Sequence, residues 1–143
     1  MRVDNKLYEK QGIHVISAIF TVDNGITKVL LVKRSNTPYK DMWALPGGAL
    51  YNNERLEDGV KREIYEKTGI KKSHNYQFKT FDEFGEENNL FRMLAVSYIG
   101  ILKSDSKIIK ENKNTKDAAW FKIDCVPNLA FKQNEIMNEA LEN

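Results

Sequence analysis

Two apolar runs flank a turn tripeptide near the start of the chain. Val15 to Val22 and Lys28 to Lys33 are rich in aliphatic and β-branched residues, and Asp23-Asn24-Gly25 between them predicts a tight hairpin. The period then changes. Leu56, Val60 and Ile64 recur every fourth position, which at about 100° per residue lays one narrow apolar stripe along a helix. Asn53 is its expected N-cap, with Glu54, Glu57 and Asp58 in a first turn where the helix dipole favours negative charge. Gly69 is expected to stop it by turning left-handed. Before it, Trp43-Ala44-Leu45-Pro46-Gly47-Gly48 predicts a short buried strand running into a glycine turn. The two glycines would let backbone pass close to a ligand or to the helix. Tyr76 to Phe84 and Phe91 to Leu102 predict two further strands around a polar turn containing Gly85 and Asn88-Asn89. Ser104 to Lys116 is charged and expected as loop. Ala118 to Ile123 predicts a last strand, and Asn134 to Glu142 a closing helix with Ile136, Met137, Ala140 and Leu141 inward. Strands and helices alternating in this way predict an α/β or α+β domain.

Composition narrows the function classes. A chain of 143 residues has a common single-domain size and can bury a real core, so residues 1–143 are expected as one domain. Its 22 Lys and Arg stand against 20 Asp and Glu, giving a net charge of +2 with no clustered basic stripe. That balance predicts no nucleic-acid partner. The single cysteine, Cys125, excludes an intrachain disulfide and suits a reducing cytosol; close to Pro127, it is expected as packing. The first residues, MRVDNKLYEKQ, hold no apolar core of signal-peptide length, and no stretch approaches a membrane span. A cytoplasmic protein without a membrane partner is expected, and a homodimer is left open. His14 and His74 have no partner spacing and are expected as structural or surface residues.

Candidate chemistry lies on the first helix. Glu63 and Glu66 are three residues apart, so they share a face beside the apolar stripe. Carboxylates at the edge of a core suit a hard cation such as magnesium, which takes oxygen ligands and keeps several waters. The whole stretch from Gly48 to Ile70, GALYNNERLEDGVKREIYEKTGI, resembles the Nudix box, G-x5-E-x7-R-E-U-x-E-E-x-G-U, with U a bulky aliphatic residue. Every fixed position matches except the last glutamate of the core, which is Lys67.

The resemblance covers nearly the whole chain and implies the Nudix α/β/α sandwich, a mixed sheet between helices. It also implies hydrolysis of a nucleoside diphosphate linked to another moiety, with Mg²⁺, or Mn²⁺ in its place, held by the box helix. Glu63 and Glu66 match the first two metal-binding glutamates. Arg62 matches the arginine that orients the box carboxylates, Glu54 the earlier supporting glutamate and Gly48 the box glycine. Gly47 and Gly48, with Glu54, are expected to border the nucleotide-type substrate. Trp43 to Gly48, Tyr98, Trp120-Phe121 and Asn128-Leu129-Ala130-Phe131 look like the ADP-ribose pyrophosphatase branch, although Lys132 and Gln133 follow where that branch commonly has Asp and His. Tyr39, Trp43, Phe84 and Phe91 offer faces to stack a base, or plain core packing.

Lys67 sets the alternative. It turns a core of three negative charges into two negative and one positive, and a protonated lysine has no acceptor to offer a metal. Four residues after Glu63 and near a helix C-terminus, it is favourable to the helix itself. The alternative function is therefore a nucleotide-binding protein with little or no catalysis. A replacement ligand from Asp82, Glu83, Glu86 or Glu87 would restore metal binding; the same residues read equally as a solvated acidic loop.

Overall fold

The computed structural model describes residues 11–83, 92–103 and 117–143. Its centre is β1 (Gln11–Asp23), whose residues from Val15 to Thr21 are all buried. A strand covered on both faces needs apolar or small residues on both, which accounts for the unbroken run rather than an alternating one. The chain reverses at Asn24-Gly25, with φ of 50° and 78°, and returns as β2 (Ile26–Lys33). Asp23 pairs with Ile26, so the hairpin has a two-residue loop with both positions left-handed, which Asn and Gly tolerate best.

Beyond β2, β3 (Trp43–Ala44) pairs with β2 and β4 (Gly47–Ala49) with β1, both antiparallel. The expected glycine turn is thus a strand, and the glycines are there for close approach. A Cβ on Gly47 would lie 2.4 Å from the Val15 carbonyl oxygen, and one on Gly48 2.7 Å from Glu63 Oε1. Two more strands follow, β5 (Asn75–Asp82) and β6 (Arg92–Ile101), antiparallel to each other. A register shift between Gln77 and Lys79 lets Phe78 and Phe81 both pack on the core. β6 runs parallel to β1 from Gln11↔Arg92 to Phe20↔Ile101. The last strand, β7 (Asp117–Lys122), pairs with the outer side of β2. The sheet is therefore mixed, as expected. The expected turn at Gly85 and Asn88-Asn89, and the loop from Ser104 to Lys116, lie outside the described residues.

One helix covers each face. Val60 and Ile64 of α1 (Leu56–Thr68) pack with Val15, Ile19, Leu30 and Val96. Ile136, Met137 and Ala140 of α2 (Asn134–Leu141) pack on the other side with Ile16, Ala18 and Leu31. Leu141 stays 39% exposed, against expectation, because one further step of the helix turns it away from Ala140's face.

The start of α1 also departs from the reading above. Arg55, extended, precedes the helix without a side-chain cap; Asn53 is not the cap and Glu54 lies outside the first turn. Arg62 is the reason: its guanidinium holds Glu54, whose Oε1 also accepts from the Tyr51 amide at 2.9 Å, so the loop turns before the helix begins. The far end is as expected. Gly69 turns left-handed at φ 77° and its N–H donates to the Tyr65 carbonyl. Cys125 is exposed rather than packed: the short 3-10 turn Ile123–Cys125 sends Ile123 to the core and Cys125 outward.

Candidate functional site

The box residues form one charged assembly around Arg62. Its Nη2 donates to Glu54 Oε1 at 2.6 Å and to the Ala49 carbonyl at 2.9 Å, and its Nε to Glu54 Oε2 at 2.9 Å. Nη1 donates to Glu63 Oε2 at 2.5 Å and lies 3.5 Å from Glu66 Oε2. The guanidinium also stacks 3.7 Å from the centre of the Tyr51 ring. A planar fork with five donors suits this task, and a lysine would not. The hydrogen bonds that Arg62 donates to Glu54 and Glu63 hold it above its usual pKa despite burial, and the same bond to Glu54 is the main cause holding that carboxylate below its usual range. Gly59, inside α1, lets the loop close over the helix, since a Cβ there would lie 2.6 Å from Leu50 Cδ1.

Glu63 is 6% exposed. Its Oε2 is taken by Arg62, but its Oε1 is buried with no hydrogen-bond partner among the described residues. Lys67 Nζ lies 3.8 Å from that oxygen, an ion pair too long for a hydrogen bond. Glu66, half-buried, faces Arg62 beside it. A buried carboxylate oxygen left without a donor is an acceptor waiting for a cation or a proton. With Glu66 beside it, this one orphaned oxygen suits a hard cation such as Mg²⁺, for which ligand phosphates and waters would complete an oxygen-only donor set. Among the described residues, no group of three or more His, Cys, Asp or Glu is gathered to hold a metal.

Beside this assembly opens a cleft of about 700 Å³, counting space continuous with solvent. It lies where the end of β2, the Leu45–Gly48 segment, the end of α1 and residues Phe131 and Gln133 meet. Gly47, Gly48 and Lys67 line it, whereas Glu54 belongs to the Arg62 assembly and does not. Glu83 also lines it, which puts one of the four acidic candidates in reach. Asp82 instead lies 3.6 Å from Arg92, and Glu86 and Glu87 lie outside the described residues. Phe84 and Phe91 lie outside them too. Trp43 meets Phe121 edge-on at 4.8 Å, and Tyr39 meets Phe131 at 4.7 Å.

Three lining residues carry more than the sequence indicated. His14, read above as structural or surface, lies on the cleft wall, and burial together with nearby Arg34 lowers its pKa. Arg34 itself was missed. Its Nε donates to the Pro38 carbonyl at 2.8 Å and its guanidinium lies 4.8 Å from the Phe131 ring centre. Phe131 points into the cleft from a left-handed backbone, φ 55°, a strained state for an aromatic residue. Only the Lys33-Arg34 pair closing an apolar strand hinted at Arg34, and nothing local hinted at the strain at Phe131. His74 is exposed, as expected.

Residues 12–142 match the NUDIX domain. The chain is 31% identical over 126 residues to the ADP-ribose pyrophosphatase of Methanocaldococcus jannaschii, covering 88% of this chain and 71% of that protein. It is 49% identical over 55 residues to the ADPR responsive transcriptional repressor NtrR of Acinetobacter baylyi, covering 37% of this chain and 22% of that one. Its fold superposes on the NUDIX domain of Shewanella oneidensis NrtR complexed with ADP ribose, with a TM-score of 0.84, 28% identity, and coverage of 99% of this chain and 93% of that one. With the box helix, the glycine strand and the mixed sheet in their places, the chain belongs to the Nudix domain family.

Proposed function

We propose that the chain takes a nucleoside diphosphate linked to a second moiety, of the ADP-ribose class, and cleaves its diphosphate with Mg²⁺ or Mn²⁺. The buried Glu63 oxygen, without a hydrogen-bond partner among the described residues and behind the Gly48 wall of the cleft, carries the reading. The pyrophosphatase and the ADP ribose complex among the relatives support the ligand class. Glu63 and Glu66 would hold the metal. When bound, the cation neutralises the diphosphate, polarises a phosphoryl oxygen and eases deprotonation of the attacking water. Arg62 fixes both carboxylates, donating to Glu63 and standing beside Glu66. Gly47 and Gly48 keep the wall bare, so that a ligand approaches the backbone closely. A small molecule, rather than nucleic acid, is the proposed partner, in keeping with the +2 charge balance.

Replacing either Glu63 or Glu66 by Gln is expected to abolish release of AMP from ADP-ribose while the thermal unfolding transition is retained. Unchanged release in both variants would refute the assignment. A second reading, nucleotide binding without turnover, is favoured by one observation: Lys67 Nζ stands 3.8 Å from Glu63 Oε1 where a further carboxylate is usual. Under it the parent binds ADP-ribose and releases no AMP, and Lys67→Glu gains magnesium affinity and rate.

A further inference from the structure

Taking the cleft as the nucleotide site, we propose that Arg34 and Lys67 form a fixed-cation subsite for the diphosphate, so that this chain binds a nucleoside diphosphate without a divalent cation. Arg34 is held in place before any ligand arrives. Its Nε and Nη2 donate to the carbonyls of Pro38 and Asn36, at 2.8 and 3.4 Å, and Phe131 covers one face of the guanidinium. Among the described residues no carboxylate pairs with it. Burial pushes its pKa down, the mark of a cation that has lost water without gaining an anion. A preorganised guanidinium with no carboxylate partner among the described residues is a receptor for an anion.

Lys67 brings a second charge to the same cleft from the end of α1. Its 3.8 Å separation from Glu63 Oε1 leaves the ammonium donors available to a ligand. Lys33 lines the cleft as well, and Glu83 is the one acidic residue among its described walls. The wall thus gathers three permanent cations against one carboxylate. A fork and a point charge together match the oxygens of a diphosphate, with charge-assisted hydrogen bonds on both. The ammonium of Lys67 already neutralises charge that a divalent cation would otherwise cancel on binding. Divalent metal is then required for turnover alone.

Isothermal titration calorimetry with ADP-ribose, AMP and inorganic pyrophosphate, in EDTA and in magnesium, tests this. ADP-ribose is expected to bind in EDTA within about threefold of its affinity in magnesium. Lys67→Gln and Arg34→Lys should each weaken that binding about tenfold or more, with a smaller effect on AMP. Lys67→Gln, at a half-buried helix end, keeps the fold and secures the result should the Arg34 variant unfold. Binding of ADP-ribose only with magnesium, or variants as tight as the parent in EDTA, overturns the subsite while leaving the nucleotide reading intact. Pyrophosphate bound in EDTA and weakened by the variants, without any ADP-ribose binding, keeps the subsite and rejects the nucleotide reading. If neither ligand binds in EDTA, the subsite is rejected.

Discussion

Arg62 touches both ends of the box, Glu54 in the loop and Glu63 on the helix, so its removal strips partners from two carboxylates at once. Arg62→Ala is expected to lower stability by about 1.5–3 kcal/mol, read from chemical denaturation, and Arg62→Lys to recover only a minor part. The pH dependence follows with its sign. Glu54 is held below the usual carboxylate range, chiefly by the hydrogen bond from Arg62, so between the folded and unfolded values the unfolded chain binds more protons. Its contribution is present above about pH 4.3 and is lost as pH falls through the lower folded value. In Arg62→Ala this part of the acid sensitivity should vanish. A stability curve of equal acid slope in parent and variant would show that Glu54 is not anchored in this way. At this scale the sequence was informative about identity but not about geometry: the resemblance to the box pointed to Arg62, Glu54 and Glu63, while the orphaned Glu63 oxygen is visible only in the folded structure.

Gln133 shows what an element needs that its own pattern does not state. The residues after Asn128-Leu129-Ala130-Phe131 look like a departure from a motif, yet they clamp the segment. Gln133 is 5% exposed, and its Oε1 accepts from the Leu45 amide at 2.7 Å, joining the start of α2 to the stretch between β3 and β4. Asn134 Oδ1 accepts from the Leu129 amide at 2.8 Å, and its Nδ2 donates to the Pro127 carbonyl at 3.0 Å. Removing a partner from a buried amide costs about 1–3 kcal/mol, so Gln133→Ala should destabilise by that amount in thermal unfolding. A neutral result would mean that water replaces the side chain. The elements themselves were largely legible, because the hairpin and both helices carry strong local signals. Their ends were less so. The start of α1 moved because Arg62, seven residues into the helix, outcompetes a local cap for Glu54.

At the scale of the whole molecule, β1 is the hub, flanked by β2 and β4 on one edge and by β6 on the other. Ile64 is fully buried and ties α1 to that hub, which fixes Glu63 one residue earlier against Gly48. Ile64→Ala is expected to cost about 2–5 kcal/mol. Glu63 and Lys67 are positioned by the same packing, so magnesium and ADP-ribose binding should weaken along with it. Calorimetry on the variant, held below its unfolding transition, reads both; ligand affinities equal to the parent's would show that the site does not depend on this contact. No helix among the described residues is long and apolar enough to cross a membrane.

By itself the sequence determined what is local: the Asn24-Gly25 hairpin, the amphipathic stripe of α1, the Gly69 stop, and the box spacing that puts Glu63 and Glu66 on one side of a helix. Each depends on residues a few positions apart, where turn chemistry and helical period act directly. Tertiary structure alone decided the parallel pairing of β1 with β6 and the assembly of the cleft. Arg34, Lys67 and Phe131 are far apart in the chain and meet only because the two helices close on opposite faces of one sheet. Such meetings depend on register and packing summed over the whole core, which no local pattern encodes.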